Sequence, residues 1–258
     1  MSDKKNAEDV KQFVRDSYGK VAERKQSGCC GESVSCCGSS SSMELKAGYS
    51  KDQLESIPQD AVLGLGCGNP TVIAEIKPGE TVLDLGSGGG IDCFLAARMV
   101  GEAGRVIGVD MTEKMINLAR RNASEGGHTN VEFRLGEIES LPVEDNSVDL
   151  IISNCVINLA PNKANVFSEA FRVLKPGGRI MVSDLVTRCE IPEQVRKSFE
   201  AWAACIAGAM IKEEYLDVIR SIGFQEVTLE AEHEYCEDNM SEELRGKILS
   251  ISVKAIKP

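Results

Sequence analysis

The sequence predicts an α/β protein built on a parallel sheet with helices on both faces. Three observations predict it. From about residue 80 apolar strand segments alternate with helical ones, the pattern that feeds a parallel sheet. A glycine-rich turn separates the first of these strands from the first helix. The chain has 258 residues, 42% hydrophobic and 27% charged, which is enough to bury a large core without disulfides or structural metals.

The elements follow in chain order. Val10, Phe13, Val14, Tyr18 and Val21 fall on one face of a helix over about 7–24. From Ser27 to Ser42 the chain is almost wholly Ser, Gly and Cys, and reads as a flexible low-complexity arm carrying the vicinal pairs Cys29-Cys30 and Cys36-Cys37. A short helix over 50–57 is ended by Pro58. Gly64-Leu65-Gly66-Cys67-Gly68-Asn69-Pro70 reads as a loop with closely approached backbone. Strands are expected at 81–85, 105–109, 131–135, 148–152 and 179–184. Helices are expected at 91–100, at 112–124 with Thr112 as N-cap, and at 163–174 before Lys175-Pro176-Gly177-Gly178. Two helices, 193–209 and 212–222, precede the last strands at 225–231 and 248–256, with Gly223 as the helix stop. Three regions result: 1–75 holds the N-terminal helix, the arm and the Cys67 loop, 76–190 the core, and 191–258 the C-terminal helices and final strand pair.

Lys and Arg number 29 against 40 Asp and Glu, a formal charge of −11, which disfavours nucleic acid and anionic membranes as partners. No apolar run is long enough to span a bilayer, and Met1 to Lys11 lacks the apolar stretch of a secretory signal, so a cytoplasmic location is expected. In that reducing setting structural disulfides are rare. Ten cysteines therefore point to metal, redox or catalytic use, while two histidines and no H-E-x-x-H pattern argue against a histidine-based zinc enzyme.

Val82-Leu83-Asp84-Leu85-Gly86-Ser87-Gly88-Gly89-Gly90 joins the first strand to the first helix. Gly86 and Gly88 fit the opening of a dinucleotide fingerprint, but Ile91 stands where its third glycine belongs. Asp110, at the end of the second strand, sits where a carboxylate grips ribose hydroxyls. Together they describe a site for a nucleoside without a pyrophosphate. On these residues the stretch 75–190 resembles the class I S-adenosylmethionine-dependent methyltransferases, with their Rossmann-like, seven-stranded, mostly parallel sheet ending in an antiparallel pair. The resemblance implies that Asp84, Gly86, Ser87 and Gly88 hold the methionine portion of the cofactor S-adenosylmethionine. It also implies that Asp110 takes the ribose, that Met111 is among the cofactor-binding residues, that Glu137 and Ile138 edge the adenine with Glu137 facing its amino group, and that Asn154, just past the fourth strand, lies beside the sulfonium.

The cysteines narrow the acceptor. Cys155 falls at the end of the fourth strand, Cys205 in an Ala- and Gly-rich helical stretch open to close approach, and Cys67 in the glycine loop. Cys93, Cys189 and Cys236 read as packing residues. Adjacent cysteines do not suit a zinc S₄ site, which sets the two pairs of the arm apart. G-L-G-C-G-N-P (64–70), D-L-G-S-G-G-G-I-D-C-F (84–94), S-N-C-V-I-N-L (153–159) and W-A-A-C-I-A-G-A (202–209) resemble the arsenite methyltransferases specifically. The resemblance implies an enzyme that methylates arsenite for detoxification, with Cys67, Cys155 and Cys205 as catalytic ligands of As(III). Longer members carry one cysteine where this chain has its N-terminal pairs. Cys29, Cys30, Cys36 and Cys37 are expected to act in reduction, renewed by thioredoxin or glutathione, or else to scavenge metal. Two other readings stay open: methylation of another small molecule (a quinone, sterol or thiol), and sequestration of the metalloid without methyl transfer.

Overall fold

A computed structural model of the chain describes residues 2–26, 45, 47–236 and 240–258. Residues 27–44 lie outside it, and with them Cys29, Cys30, Cys36 and Cys37. The described strands form one seven-stranded sheet. Its members are β1 (Thr81–Leu85), β2 (Arg105–Asp110), β3 (Val131–Leu135), β4 (Val148–Asn154), β5 (Leu174–Thr187), β6 (Gln225–Glu234) and β7 (Ile248–Ile256), in the order β3-β2-β1-β4-β5-β7-β6. The first five run parallel and β7 pairs antiparallel with both β5 and β6, as the resemblance implied.

The helices are α1 (Ser2–Gln26), α2 (Lys51–Glu55), α3 (Pro70–Ile73), α4 (Ile91–Val100), α5 (Glu113–Glu125), α6 (Lys163–Val173), α7 (Glu193–Arg196), α8 (Phe199–Ala203) and α9 (Lys212–Ile222). Ser50 caps α2 with a full capping box through Gln53. One face of the sheet packs on α6 and α9, where Phe167 meets Tyr215 edge-on at 5.5 Å, both fully buried. The other packs on α4 and α5 around Phe94 and Phe133. The chain reverses its direction of strand addition between β1 and β4, and the crevice of a doubly wound sheet opens at such a point.

Several local expectations need correction. Thr112 stands at the N-cap of α5 but its side chain makes no cap bond; its N–H donates instead to Asp110. The fifth strand starts at Leu174 and takes in Lys175-Pro176-Gly177-Gly178 as an irregularity beside β4, tied to the chain end by Gly177 N–H donating to the Lys257 carbonyl at 2.8 Å. The single helix expected over 193–209 is broken into α7 and α8. The interruption between them falls at 197–198; α8 then ends at Ala203, and Cys205, at φ +61, adopts a left-handed conformation no helix interior accepts, so the helix does not resume toward 209. The small residues nearby do not leave room for a bulky group: a Cβ on Gly208 would fall on the carbonyl oxygen of Asn158 and beside the Trp202 ring. Glycine here lets the Cys205 segment seat directly on the turn after β4.

Helix α1 lies against the opening of the crevice. Val10, Val14 and Ala22 are buried, with Phe13, Tyr18 and Val21 partly so, which matches the expected apolar face and adds Ala22. Lys11 pairs with Glu137 and Glu139, Arg15 with Glu137, and Glu23 with Lys114. No helix among the described residues is long and apolar enough to cross a membrane.

Gly208→Ala should overpack this seat, at a cost of about 1–3 kcal/mol. Hydrogen exchange should rise in 199–211 well before the sheet responds, and urea titration should register the loss; unchanged exchange there would show that the contact is not limiting.

Candidate active site

The crevice at the carboxyl ends of β1, β2 and β4 is a cavity of about 1020 Å³ counted out to its mouth. Its lining includes Asp84, Gly86, Ser87, Gly88, Asp110, Met111, Glu137, Ile138, Asn154 and Cys155, so all the residues expected at a nucleoside site meet in one place. Gly86 and Ser87 donate their N–H groups to the Val109 carbonyl, which pins the glycine turn to β2. Gly86 has φ +69, and a side chain there would run into Val156. Gly88 has φ +51 and open space where a Cβ would stand. The Asp110 carboxylate accepts from Gly88 N–H at 3.0 Å and Thr112 N–H at 2.8 Å. Burial raises its pKa against those two bonds.

At the cleft floor Asp84 is buried beside Asp92, and the Cys93 thiol donates to Asp84 at 3.2 Å. Burial, and then the Asp92 charge, push the Asp84 carboxyl well above the ordinary aspartate range, so the floor favours a cation. The Ser87 hydroxyl is buried with no hydrogen-bond partner, the condition of a group that awaits a ligand. Glu137 lines the cleft as expected, but its oxygens accept from Lys11 at 2.7 Å and Arg15 at 2.9 Å. The Lys11 bond is the first cause of its lowered pKa.

Asn154 is the last residue of β4 rather than a residue beyond it. Its Oδ1 accepts from Cys67 N–H at 3.1 Å and Gly68 N–H at 3.2 Å. Its Nδ2 donates to the Gly68 carbonyl at 2.7 Å and to the Tyr49 hydroxyl at 2.9 Å. Tyr49 donates in turn to Asp92 at 2.8 Å. The carboxamide thus locks the Cys67 loop to the cleft floor. Tyr49 and Asp92 escaped the sequence reading, because neither stands in a spacing that marks a ligand.

Cys155 follows Asn154 with φ +57, and its backbone N–H donates to the Ser183 carbonyl at 2.8 Å. Two of the three cysteines expected to share a site are therefore in the left-handed region, a strain that the surrounding packing sustains. Cys67 and Cys155 are joined as a disulfide, their Cα atoms 5.9 Å apart. The sequence reading, which finds disulfides unnecessary for a core of this size, does not pair these two cysteines. The buried Cys205 thiol donates to the Cys155 carbonyl at 2.7 Å, so three cysteines from distant parts of the chain share one cluster around Cys155, which lines the cleft. Cys93 is buried as expected, whereas Cys189 and Cys236 are exposed, lying after β5 and after β6 where the chain leaves the core. The described residues hold no cluster of His, Cys, Asp and Glu arranged for a metal ion.

Behind Cys205 lies a buried charged pair. Lys163 stands 5.9 Å from the Trp202 ring centroid, and burial lowers its pKa to about 8 against the nearby Asp184 and Cys205. Burial raises Asp184 to about 7, although it accepts from Leu185 N–H at 2.9 Å and the Tyr215 hydroxyl at 3.2 Å.

The methyltransferase-domain family matches residues 76–223. The arsenite methyltransferase of Halobacterium salinarum is 43% identical over 98% of this chain and 68% of its own length. That of Aquipseudomonas alcaligenes is 37% identical over 84% of this chain and 62% of its own. The crystal structure of an arsenic (III) S-adenosylmethionine methyltransferase from Chlamydomonas reinhardtii superposes with a TM-score of 0.68 at 36% identity, covering 83% of this chain and 73% of that one. The chain spans about two thirds of the length of the two curated relatives.

Two predictions follow from the geometry. Asn154→Ala removes the acceptor of two backbone N–H groups, at about 1–3 kcal/mol for leaving such groups unsatisfied. Amide exchange at Cys67 and Gly68 should accelerate sharply; protection equal to the parent would mean the loop is held otherwise. Asp184 takes up a proton in the folded chain near pH 7 but in the unfolded chain near 3.8. Its contribution to stability is full below pH 4 and is lost as pH rises through 7. Asp184→Asn should flatten that part of the urea-midpoint profile between pH 4 and 7, and an identical slope in the two proteins would refute the assignment.

Proposed function

This chain belongs to the arsenite methyltransferase family, and from that premise we propose that it transfers a methyl group from S-adenosylmethionine to trivalent arsenic held by Cys67, Cys155 and Cys205. Methylation of arsenite in this way is a detoxification. The observation that carries the reading is the clustering of three cysteines around Cys155, which lines a nucleoside-sized cleft.

The cleft fits the donor on its own chemistry. Its floor carboxylates, Asp84 and Asp92, suit the donor's ammonium group, and the unpartnered Ser87 hydroxyl and open face of Gly88 suit its carboxylate end. Asp110, oriented by two backbone N–H groups, is set to accept from ribose hydroxyls. Met111 and Ile138 offer apolar flanks to the base, with Glu137 at its edge. When bound, the donor supplies an electrophilic methyl on a sulfonium.

Arsenic(III) is soft and thiophilic, so thiolates suit it better than carboxylate or imidazole, and three sulfurs match its three bonds. The thiols give up their protons as they bind. Arsenic in a tris-thiolate keeps a lone pair, so no general base is required of a chain with two histidines. The protein's part is to hold two reactants in register. Binding requires the Cys67–Cys155 bond to be reduced. Methylation leaves arsenic formally pentavalent, and the two electrons released when two thiols join are what return it to the trivalent state. Cys67 and Cys155 form such a couple at the site, and Cys29, Cys30, Cys36 and Cys37 can relay electrons to it from thioredoxin or glutathione. Since α1 and its tyrosine pack at the cleft, the arm is tested by Cys→Ser changes within it and not by removing residues 1–42.

The decisive assay incubates the reduced chain with labelled S-adenosylmethionine, As(III) and thiol, then separates the arsenic species. Methylated arsenic should appear, and Cys155→Ser or Cys205→Ser should lower it to background with the fold intact. A Cys155→Ser protein that methylates arsenite at the parent rate would end the reading, and binding without methylation by the parent would favour sequestration. Asp110→Ala should lose about 1.5–3 kcal/mol of charge-assisted hydrogen bonding, roughly ten- to a hundredfold in donor Kd by calorimetry. An unchanged Kd would remove Asp110 from the donor site.

A further inference from the structure

Tyr18 belongs to no motif, yet it stands between the two halves of the cleft. It projects from the middle of α1 into the cavity and packs in the apolar cluster that contains Cys155, Leu159 and Cys205. Its hydroxyl donates to the Ala203 carbonyl at 3.3 Å and lies within hydrogen-bonding reach of the Cys205 sulfur, with Asp110 and Tyr235 close by. The helix that carries it is anchored on both sides of this residue, by Lys11 and Arg15 toward Glu137 and Glu139 and by Glu23 toward Lys114. At Gly19 a Cβ would press on the Lys114 side chain at 3.3 Å, so the helix sits close against α5. The phenol is held in place by packing and by four ion pairs.

We infer that Tyr18 is a positioning residue for the metalloid: its hydroxyl donates to the Cys205 sulfur once that sulfur has lost its proton, and so fixes the third arsenic ligand. The inference rests on the arsenite reading above. As(III) reaches the site as a thiol adduct. The bond from arsenic to the carrier thiol breaks, the bond to Cys205 forms, and the Cys205 proton leaves on the released thiol, with no change of oxidation state. The hydrogen bond from Cys205 to the Cys155 carbonyl is lost in the exchange. The Tyr18 hydroxyl replaces it by turning from the Ala203 carbonyl to the sulfur, both of which it already reaches. A phenol hydroxyl carries its proton at neutral pH, so Tyr18 can act as the donor throughout. Groups of this kind, which hydrogen-bond to a ligand atom, typically change metal affinity 10- to 100-fold.

The test uses the reduced full chain and its Tyr18→Phe variant. Trp202 is the only tryptophan and stands three residues before Cys205, so its fluorescence reports As(III) binding there. Tyr18→Phe should weaken As(III) binding roughly 10- to 100-fold, with donor affinity unchanged and only the small drop in melting temperature that loss of the bond to the Ala203 carbonyl brings. X-ray absorption should show fewer than three sulfurs on arsenic at concentrations where the parent has three. A double-mutant cycle separates positioning from packing: in a Cys205→Ser background Tyr18→Phe should have no further effect on As(III) affinity. Parent-like affinity in Tyr18→Phe, or the same loss in both backgrounds, would overturn the inference while leaving the arsenite reading intact. A parent chain whose fluorescence and arsenic–sulfur scattering do not respond to As(III) would overturn both.

Discussion

The carboxamide of Asn154 is the constraint on which the site depends. It closes a strand, and strand ends in this fold form one wall of the crevice. From there it uses both its oxygen and its nitrogen on the Cys67 loop, leaving a further donor bond for Tyr49. The loop forms no strand pairing, and this side chain holds it together with the Cys67–Cys155 disulfide and the Ser250 hydroxyl, which donates to the Cys67 carbonyl at 3.0 Å. Tyr49 passes the constraint to Asp92 and thus to the acidic floor where Asp84 lies. The Cys67 loop and the acidic floor of the cleft are consequently one hydrogen-bonded unit.

The sulfurs are set by backbone conformations that cost energy. Cys155 and Cys205 both adopt positive φ, which side chains with a Cβ avoid. At Cys155 the strain turns the chain out of β4 while a bond to the Ser183 carbonyl holds it beside β5. At Cys205, just past the end of α8, it keeps the helix from resuming, and the close seat of Gly208 on Asn158 keeps this segment against the crevice. Joined to Cys67 in a disulfide, Cys155 shows how near these two sulfurs approach. The buried Lys163 and Asp184 lie behind this arrangement, and their altered proton affinities reflect burial more than pairing.

Helix α1 supplies the remaining wall. Its ion pairs with Glu137 and Glu139 link it to the loop after β3, and its apolar face joins the cluster around Cys205. Partly exposed pairs of this kind contribute little each, so the burial of Val10, Val14 and Ala22 holds the helix and the charges set its register.

The sequence alone determined the sheet, its seven strands and the glycine turn, because these are written in local periods: alternating apolar runs, helical stripes and glycines beside a strand end. It also determined that Asp110 would stand at the cleft, since an acid at the end of the second strand has one place to go. The family motifs carried Cys67, Cys155 and Cys205. Only the tertiary structure decided that Glu137 would be bound by α1 and that 193–209 would divide into α7 and α8 and end before Cys205. It alone brought Tyr49 and Asp92 under Asn154, and Tyr18 to Ala203, 185 positions away. The reason is physical. A helical stripe tells which face of α1 is buried but not what it is buried against, and a cysteine's partners are fixed by strand order. The reversal between β1 and β4 gathers strand ends from far apart in the chain, and no local spacing records which side chains will meet there.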